Sequence, residues 1–334
     1  MSYDAILWVS FGGPEKEEDI IPFLQNVLRG RNVPRERMLA VAEHYHHFDG
    51  RSPINQQNRE LIRALEAELA AHGPHLPVYW GNRNWHPLLT DTVARMKADG
   101  TKRALAFATS AYSSYSGCRQ YLENIENARA AAGEGAPVID KIRPFYNHPG
   151  YIAAMTEQAR EALDRIPAVR RGAAHVVYTA HSIPLRMAEN CQYAQQLLEA
   201  SGLVSAALGR SGDPLVYQSR SGPPTQPWLG PDILEHLKKI ANNGQVKDVV
   251  IVPIGFVSDH MEVLYDLDTE ARQLCEELGL TMVRAAAAGT NPGFARMVRE
   301  LIVERMEENS ARPCLGTLGP WPDVCPAGCC LPRA

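Results

Sequence analysis

Short apolar runs rich in β-branched residues alternate with longer amphipathic segments along most of the chain. The short runs predict strands at Ala5–Phe11, Val78–Gly81, Ala104–Thr109, Ile142–Phe145, His175–Thr179, Leu215–Gln218, Val249–Ile254 and Thr281–Ala286. The amphipathic segments predict helices at Glu15–Leu28, Arg35–His46, Pro53–His72, Pro87–Ala98, Arg119–Ala132, Pro149–Ile166, Cys191–Ala200, Pro231–Asn242, His260–Leu278 and Pro292–Glu308. Strands that alternate with helices favour parallel sheets covered by helices on both faces.

The predicted strands fall into two groups of four, and the division lies near Gly150–Ala168. We therefore predict an α/β fold of two similar open halves with a ligand cleft between them. The halves are predicted at residues 1–150 and 151–310, and a tail follows at 311–334. Ligands of open α/β sheets bind beyond the carboxyl ends of the strands, so residues directly after strands are the first candidates for a site.

Three carboxylates recur every four residues in the segment GFVSDHMEVLYDLDTE. On a helix, Glu262, Asp266 and Glu270 share one face, where like charges repel each other. A solvated acidic face is the ordinary explanation for such a run. This run, however, follows the most hydrophobic strand of the chain, so its first carboxylates belong in the interior and need a metal ion, a base or a proton. Oxygen ligands suit divalent ions such as Fe(II), which indicates a path for a cation.

One histidine, His181 in VVYTAHSIP, follows a buried strand of the second half. An isolated histidine in such a place is more often satisfied by a backbone carbonyl group. The functional alternative is a general base, because imidazole is neutral near physiological pH and can accept a proton. A base that faces an acidic, cation-binding helix is a more specific arrangement than either feature alone.

Two further segments carry polar side chains after strands or at a helix start. ATSAYSSYSGC, which contains Tyr115, is either a loop that satisfies its own backbone or a polar wall for a planar aromatic ligand. GRSPINQQN places Arg51 and Ser52 at a helix start, where they form an anion site, an ordinary N-cap, or both.

The composition excludes several classes of function. The 334 residues include 34 Lys plus Arg and 38 Asp plus Glu, so the net charge of −4 gives no reason to expect nucleic acid as a partner. No G-x-G-x-x-G or Walker A sequence indicates a nucleotide site. The longest apolar run, DVVIVPIGFV, is far shorter than a membrane span, and the first residues do not resemble a signal peptide. We expect a cytoplasmic monomer.

The seven cysteines are unevenly distributed, because four of them lie after residue 313. Their spacing, C-x10-C-x3-C-C, lacks the paired C-x2-C sequences of structural zinc sites. It predicts either incidental thiols on a flexible tail or a [2Fe–2S] cluster with three ligands from the tail and one from the body. The tail is too rich in Pro and Gly for regular structure and should be disordered unless other residues hold it.

Together these features resemble the ferrochelatase family, whose members insert ferrous iron into a porphyrin. The motifs that carry the resemblance are FGGP, SPIN, YTAHSIP, QSRSGPPTQPWLGPD and GFVSDHMEVLYDLD, in this order along nearly all of the chain. The resemblance implies two Rossmann-like domains and a porphyrin cleft between them, with Fe(II) as a substrate.

The resemblance also implies roles for individual residues. His181 matches the histidine that faces the pyrrole nitrogens, and Glu262 matches the glutamate across the macrocycle. Asp266 and Glu270 match the acidic line behind it, so these four residues are the predicted metal ligands. The predicted porphyrin contacts are Phe11, Arg51, Ser52 and Tyr115. Arg51 and Ser52 match the propionate site, and Phe11 stands where many bacterial members have a tyrosine that touches the iron.

The chain resembles the short actinobacterial branch most closely. The resemblance implies coproporphyrin III as the substrate, coprohaem as the product, and a downstream coprohaem decarboxylase as a partner. It also implies a [2Fe–2S] cluster on Cys118, Cys314, Cys325 and one of the last two cysteines, with the spacing from Cys325 favouring Cys330 over Cys329.

The implied mechanism begins with a porphyrin bent by its binding contacts, which exposes the pyrrole nitrogens. His181 then accepts a pyrrole proton while Glu262 passes on iron delivered by Asp266 and Glu270, although iron entry on the histidine side is an alternative. The competing functions are the same chemistry on protoporphyrin IX, insertion of cobalt or nickel into another tetrapyrrole, a non-catalytic porphyrin or haem carrier, and a hydrolase that uses Ser182 or Ser258.

Overall fold

The structure is a computed structural model that describes residues 2–30, 33–222, 225–307 and 309–332. The predicted end of the last helix at Glu308 and the Pro223–Pro224 pair of the QSRSGPPTQPWLGPD motif lie outside these ranges. The first residue of the predicted N-terminal half and the last two residues of the predicted tail also lie outside them.

Within the described residues, eight strands form two parallel sheets of four strands each. The first sheet has the order β2-β1-β3-β4 and the second has the order β6-β5-β7-β8. The strands are β1 Ala5–Ser10, β2 Val78–Asn82, β3 Arg103–Ala108, β4 Val138–Lys141, β5 His175–His181, β6 Leu215–Gln218, β7 Asp248–Val252 and β8 Thr281–Arg284. The predicted α/β fold of two similar halves is thus confirmed.

Helices connect consecutive strands and cover both sheets. They are α1 Ile20–Val27, α2 Arg35–His46, α3 Ile54–His72, α4 Leu89–Ala98, α5 Gln120–Ala132, α6 Pro149–Asp164, α7 Ala168–Arg171, α8 Leu185–Ala188, α9 Tyr193–Ala207, α10 Ile233–Asn242, α11 Met261–Val263, α12 Arg272–Glu277 and α13 Pro292–Met306. Short 3₁₀ turns span Glu17–Asp19 and Ala288–Thr290, and π-helical segments span Tyr115–Arg119 and Leu264–Ala271. Across the described ranges, no helix is long and apolar enough to cross a membrane.

The fourth strand differs from the sequence prediction. It occupies Val138–Lys141, where Val138 pairs with Arg103, whereas the predicted strand at Ile142–Phe145 is a buried irregular segment. The apolar residues of that segment face the core without extending the sheet. An apolar run reports burial, and burial alone does not distinguish a strand from an irregular buried segment.

One continuous hydrophobic core joins the two halves. It includes Ile6 and Phe107 of the first sheet together with Val176 and Val250 of the second sheet. Phe294 of α13, from the second half, packs edge-on against Phe107 of the first, with ring centroids 6.2 Å apart. The two sheets lie on opposite sides of residue 150, as predicted, but the division of the chain into domains at that residue stays a prediction.

As far as residue 332, the C-terminal tail lacks regular structure, and polar contacts hold it to the body. Glu199 Oε1 accepts hydrogen bonds from the backbone N–H groups of Thr317, at 2.6 Å, and Leu318, at 2.9 Å. The backbone N–H of Leu315 donates to the carbonyl oxygen of Asn147 at 2.8 Å, and Arg143 donates to the carbonyl oxygen of Pro313 at 3.0 Å. These contacts order the tail, whose Pro- and Gly-rich sequence would not form a stable structure by itself.

Asn58 links β1 to α3 through buried hydrogen bonds, and we expect its replacement to destabilise the fold. Its Oδ1 accepts a bond of 2.6 Å from the Trp8 indole N–H, and its Nδ2 donates to Ser10 at 2.9 Å. Asn58→Ala leaves the indole N–H buried without this acceptor, so the free energy of unfolding should fall by about 1–3 kcal/mol. Denaturant unfolding measures the change. Gln56→Ala, on the exposed face of the same helix, should change it by less than about 0.5 kcal/mol, and equal effects would contradict the prediction.

Candidate functional site

The candidate site lies at the carboxyl ends of the strands of the second sheet. His181 is the last residue of β5, and its neighbour in the sheet register is Gln218, the last residue of β6. The segment that contains Glu262 follows β7, which pairs with the other side of β5. Because all three strands are parallel, their ends bring these side chains to one edge.

The His181 imidazole is oriented by a backbone contact on one side and faces Glu262 on the other. Its Nδ1 bonds to the carbonyl oxygen of Ser182, and its Nε2 lies 3.5 Å from Glu262 Oε2. The Ser182 hydroxyl is buried and donates to the carbonyl oxygen of Leu229 at 2.7 Å. This contact satisfies the hydroxyl away from the imidazole, which argues against Ser182 as a nucleophile activated by His181.

The two partners are strongly coupled. Burial by itself would lower the pKa of His181, but the charge and hydrogen bond of Glu262 raise it to about 9. Burial would raise the pKa of Glu262, but His181 and then His260 hold it at about 2. The exposed fractions of the two side chains are 34% and 52%, so solvent reaches both of them. At neutral pH the free protein therefore holds an imidazolium–carboxylate ion pair.

A second histidine, which the sequence did not single out, also approaches Glu262. His260 Nδ1 lies 3.8 Å from Glu262 Oε2, and its ring packs edge-on against Phe256 at 5.0 Å between centroids. Burial lowers the pKa of His260, so this ring is neutral beside the ion pair. In the sequence, only the position of His260 two residues before Glu262 in the same motif could have indicated that it belongs to the site.

The acidic ladder continues from exposed Glu262 through half-buried Asp266 to exposed Glu270. Asp266 accepts hydrogen bonds from the Ser219 hydroxyl and, at 3.3 Å, from Gln218 Nε2. Burial raises the pKa of Asp266 to about 7, and the charges of Glu262 and Glu270 add to the effect. Burial also raises the pKa of Glu270. Gln218 and Ser219 were missed, although their place at the end of β6 could have indicated them.

The ladder is carried by a π-helical segment instead of the regular helix predicted at His260–Leu278. After the single turn of α11, Leu264–Ala271 adopts the wider π geometry, and α12 follows. Segments of this kind are uncommon and frequent at functional sites. Tyr265 in this segment stacks on His44 of α2, with ring centroids 3.6 Å apart, so the first half covers the ladder.

The predicted porphyrin contacts lie on the first half. Ser52 is buried and its N–H donates to the carbonyl oxygen of Pro14 at 2.9 Å, while Arg51 beside it is exposed. Phe11 follows β1 and lies beneath the Arg83 guanidinium, 5.6 Å from the ring centroid. The Tyr115 hydroxyl donates to Glu123 at 3.0 Å. Without a bound porphyrin, all four contacts stay predictions.

Four thiols interact in succession, pair by pair, where the tail meets the body. A hydrogen bond with Cys325 and then burial raise the pKa of Cys118, and the same bond lowers the pKa of Cys325 to about 7. Cys325 in turn interacts with Cys329, whose Sγ lies 3.4 Å from Cys330 Sγ. Thiols from positions 118 and 325–330 therefore form one contact series, although they are far apart in sequence.

Cys314, the remaining predicted cluster ligand, lies earlier in the tail. It is half-buried next to Leu315, which is bonded to Asn147, and near Tyr146, whose pKa it helps to raise. Among the residues that the structure describes, no three His, Cys, Asp or Glu side chains already stand as a ligand set for a metal ion. The predicted metal and cluster ligands thus stay predictions.

Comparisons with known proteins agree on one family. The family model described as Ferrochelatase matches residues 3–306. A Ferrochelatase of Rhodopirellula baltica is 58% identical over 98% of this chain and 93% of its own length. A Coproporphyrin III ferrochelatase of Streptomyces coelicolor is 50% identical over 99% of this chain and 94% of its own length, and that of Mycolicibacterium smegmatis is 48% identical over 98% and 95%.

Solved structures agree on the fold. SirB from Bacillus subtilis with Fe3+ superposes with a TM-score of 0.58 and 11% identity, over 91% of this chain and 98% of that one. The sirohydrochlorin chelatase SirB from Bacillus subtilis subspecies spizizenii in complex with cobalt gives 0.52 and 13%, over 91% and 97%. At these identities the likeness concerns the two-half Rossmann-like fold.

The ion pair at the site predicts a measurable change in the pKa of His181. Glu262→Gln removes the charge that favours the imidazolium, and the burial that remains disfavours it, so the pKa should fall from about 9. A pH titration by NMR of the histidine ring nitrogens measures this value. Glu270→Gln, the control, lies further along the ladder and should leave the pKa close to that of the unmodified protein. An unchanged pKa in Glu262→Gln would contradict the assigned coupling.

Proposed function

The chain belongs to the ferrochelatase family, which inserts metal into porphyrin, and we propose on this basis that it inserts Fe(II) into coproporphyrin III. The observation that carries the chemistry is the His181–Glu262 pair, 3.5 Å apart at the edge where the parallel strands end. A macrocycle does not fit between two side chains in direct contact, so the predicted position of Glu262 across the ring from His181 requires porphyrin binding to separate the pair. Several relatives named coproporphyrin III ferrochelatase, about half identical over nearly the whole chain, support this substrate. Protoporphyrin IX is the alternative, because the 58% identical relative is named only ferrochelatase.

His181 is the proposed acceptor of a pyrrole proton. In the free protein Glu262 keeps the imidazole protonated, so the ring must first lose this proton. A divalent cation that reaches Glu262 satisfies the carboxylate charge and disfavours the imidazolium, which lowers the pKa of His181. Binding of the metal at Glu262 thus favours the neutral form of His181 that can accept a proton. The bond of Nδ1 to Ser182 keeps Nε2 directed toward the substrate.

The ladder supplies the proposed route for Fe(II). Glu270 is exposed, Asp266 is partly covered and bonded to Ser219, and Glu262 faces His181 in the cleft. Burial, and then the charges of nearby acids, raise the pKa values of Asp266 and Glu270, and a passing cation would favour their ionised forms. Weak oxygen ligands suit transfer because they release Fe(II) readily.

Porphyrin binding is assigned to the first half. We assign the propionate groups to the start of α3, where exposed Arg51 supplies a positive charge. Binding contacts there, remote from the pyrrole nitrogens, supply free energy to bend the macrocycle. Phe11 offers an apolar ring in the cleft and has no phenolate to bind the iron.

A porphyrin or haem carrier would need the cleft but not the acidic route to it. Free energy is lost by keeping like charges partly buried along Glu262, Asp266 and Glu270, and a carrier gains nothing from this arrangement. The paired base and carboxylate therefore favour catalysis.

The substrate proposal predicts the outcome of an anaerobic assay. Purified protein is given Fe(II) with coproporphyrin III or protoporphyrin IX in separate reactions, and the Soret band reports metallation. We expect faster metallation of coproporphyrin III. Faster metallation of protoporphyrin IX would retain the reaction and overturn the substrate, while tight binding of both without metallation would favour the carrier. Parallel reactions with Co(II) and Ni(II) test the metal.

The same assay tests the base. His181→Ala should lower the metallation rate by about 100-fold or more, since a positioned general base contributes about 10²–10⁴-fold, and the variant should still bind porphyrin. His236→Ala is the control, because that histidine pairs with His175 outside the site and its loss should leave the rate unchanged. A near-normal rate in His181→Ala would remove the base assignment.

We further propose a [2Fe–2S] cluster on the thiols near the tail. Cys118, Cys325 and Cys330 belong to the predicted set, and the pairwise interactions of Cys118 with Cys325 and of Cys329 with Cys330 support the proposal. The lowered pKa of Cys325 favours the thiolate that an iron ligand requires. The fourth ligand is Cys314 as predicted or Cys329, and the contact of Cys329 with Cys330 supports the second choice. Such a cluster would tie the tail to the body.

Spectroscopy of single variants tests the cluster. Anaerobically purified protein should contain equal amounts of iron and acid-labile sulfide, absorb in the visible region, and give an EPR signal after reduction. Cys118→Ser should abolish these features, whereas Cys275→Ser, at a buried thiol of α12, should retain them. Separate replacement of Cys314 and Cys329 identifies the fourth ligand. Unmodified protein without iron and sulfide would show the cluster proposal to be wrong.

A further inference from the structure

A buried arginine holds two of the acidic residues that surround Glu262. Arg284, the last residue of β8, donates from Nε to both carboxylate oxygens of Asp268 at 2.9 Å and from Nη1 to Asp259 Oδ1 at 3.0 Å. The exposed fractions of these side chains are 13% for Arg284, 10% for Asp259 and 23% for Asp268. The three charges therefore form a largely desolvated cluster, which we call the Arg284 clamp.

The clamp fixes both sides of the segment that carries the proposed metal path. Asp259 lies three residues before Glu262, and Asp268 lies six residues after it, inside the π-helical segment. One planar guanidinium bonds to both carboxylates at once, so it sets the distance between the two points of attachment. Glu262 and Asp266 lie between these points, and their backbone positions depend on it.

The clamp also connects the two halves of the molecule. Gln57 of α3, in the first half, accepts a bond of 2.8 Å from the Asp259 backbone N–H and donates to Asp259 Oδ2 at 3.4 Å. The helix that starts at the proposed propionate site therefore contacts the segment that carries Glu262. This contact links the part assigned to porphyrin with the part assigned to the metal.

The clamp divides the acidic residues of this segment into two sets. Asp259 and Asp268 share the single positive charge of Arg284, and Arg272 adds a second positive charge through its bond of 3.3 Å to Asp268. Glu262, by contrast, is paired with histidines, and Asp266 is bonded to neutral Ser219 and Gln218. Exposed Glu270 has no bond to Arg284 and belongs with the second set, whose carboxylate groups stay open to an incoming cation. The sequence shows five acids in one run and gives no sign of this division.

We propose that Arg284 is a positioning residue for metal insertion, which acts through Asp259 and Asp268 to hold Glu262 and Asp266 in line, and that Gln57 couples this line to the porphyrin half. The inference rests on the proposed function. A single ammonium group cannot bond to Asp259 and Asp268 in the way that the planar guanidinium does. Arg284→Lys therefore keeps the positive charge but loses the simultaneous bonds to both carboxylates. Small displacements of positioned groups lower rates strongly, by about 10²-fold for about 1 Å.

Steady-state kinetics of Arg284→Lys and Gln57→Leu test the proposal against unmodified protein. For Arg284→Lys, kcat/KM for Fe(II) should fall by about 10–100-fold, while porphyrin affinity stays within about twofold. Gln57→Leu removes the link between the halves without leaving a charge unpaired. Its kcat/KM for Fe(II) should therefore also fall, by a smaller factor. Arg210→Lys is the matched control, because Arg210 pairs with Asp213 at 3.0 Å away from the site, and its kinetics should not change.

Thermal unfolding of each variant separates positioning from stability. If Arg284→Lys lowers the melting temperature no more than Arg210→Lys does and still loses Fe(II) kcat/KM, the positioning role is supported. Unchanged Fe(II) kinetics, or equal losses for metal and porphyrin, would overturn it. Failure of the unmodified protein to metallate any porphyrin would instead contradict the proposed function itself. If Arg284→Lys does not fold, Gln57→Leu remains as the test. Unchanged Fe(II) kinetics in that variant would overturn the proposed coupling between the halves.

Discussion

The ion pair between His181 and Glu262 depends on the parallel pairing of β5 and β7. The two strands are hydrogen-bonded neighbours with the same direction, so the histidine at the end of one meets the segment that follows the other. Burial works against the charge on both side chains, and the pair offsets this effect, because Glu262 raises the pKa of His181 while His181 and then His260 lower the pKa of Glu262. The chemistry proposed for this site follows from that mutual dependence, because a cation at Glu262 changes the proton affinity of His181.

The carboxylates near the pair serve two different purposes. Those bonded to Arg284 hold the backbone, whereas those near His181 and Ser219 remain available to a cation. Separation of this kind would allow a rigid support and the proposed metal path to occupy one short segment. The π-helical geometry of Leu264–Ala271 and the stacking of His44 on Tyr265 place that segment against the first half.

The tail shows how polar contacts order a segment that has no regular structure. Its backbone is bonded to Glu199, Asn147 and Arg143 of the body, and its last thiols reach Cys118. Each of these contacts between tail and body joins residues that are more than a hundred positions apart in sequence. A tail of this kind is stable only on the folded body, and a bound cluster would add covalent links to the same surface.

The sequence by itself determined the α/β class, the two groups of strands, the family, and the types of residue at the site, because these depend on local periodicity and on short motifs. Tertiary structure alone decided which residues meet. It replaced the strand predicted at Ile142–Phe145 with Val138–Lys141, placed His260, Gln218 and Ser219 at the site, and assigned Asp259 and Asp268 to Arg284. Periodicity reports which face of an element is buried, but the partner of a buried charge is set by packing between segments distant in sequence, and no local pattern encodes that partner.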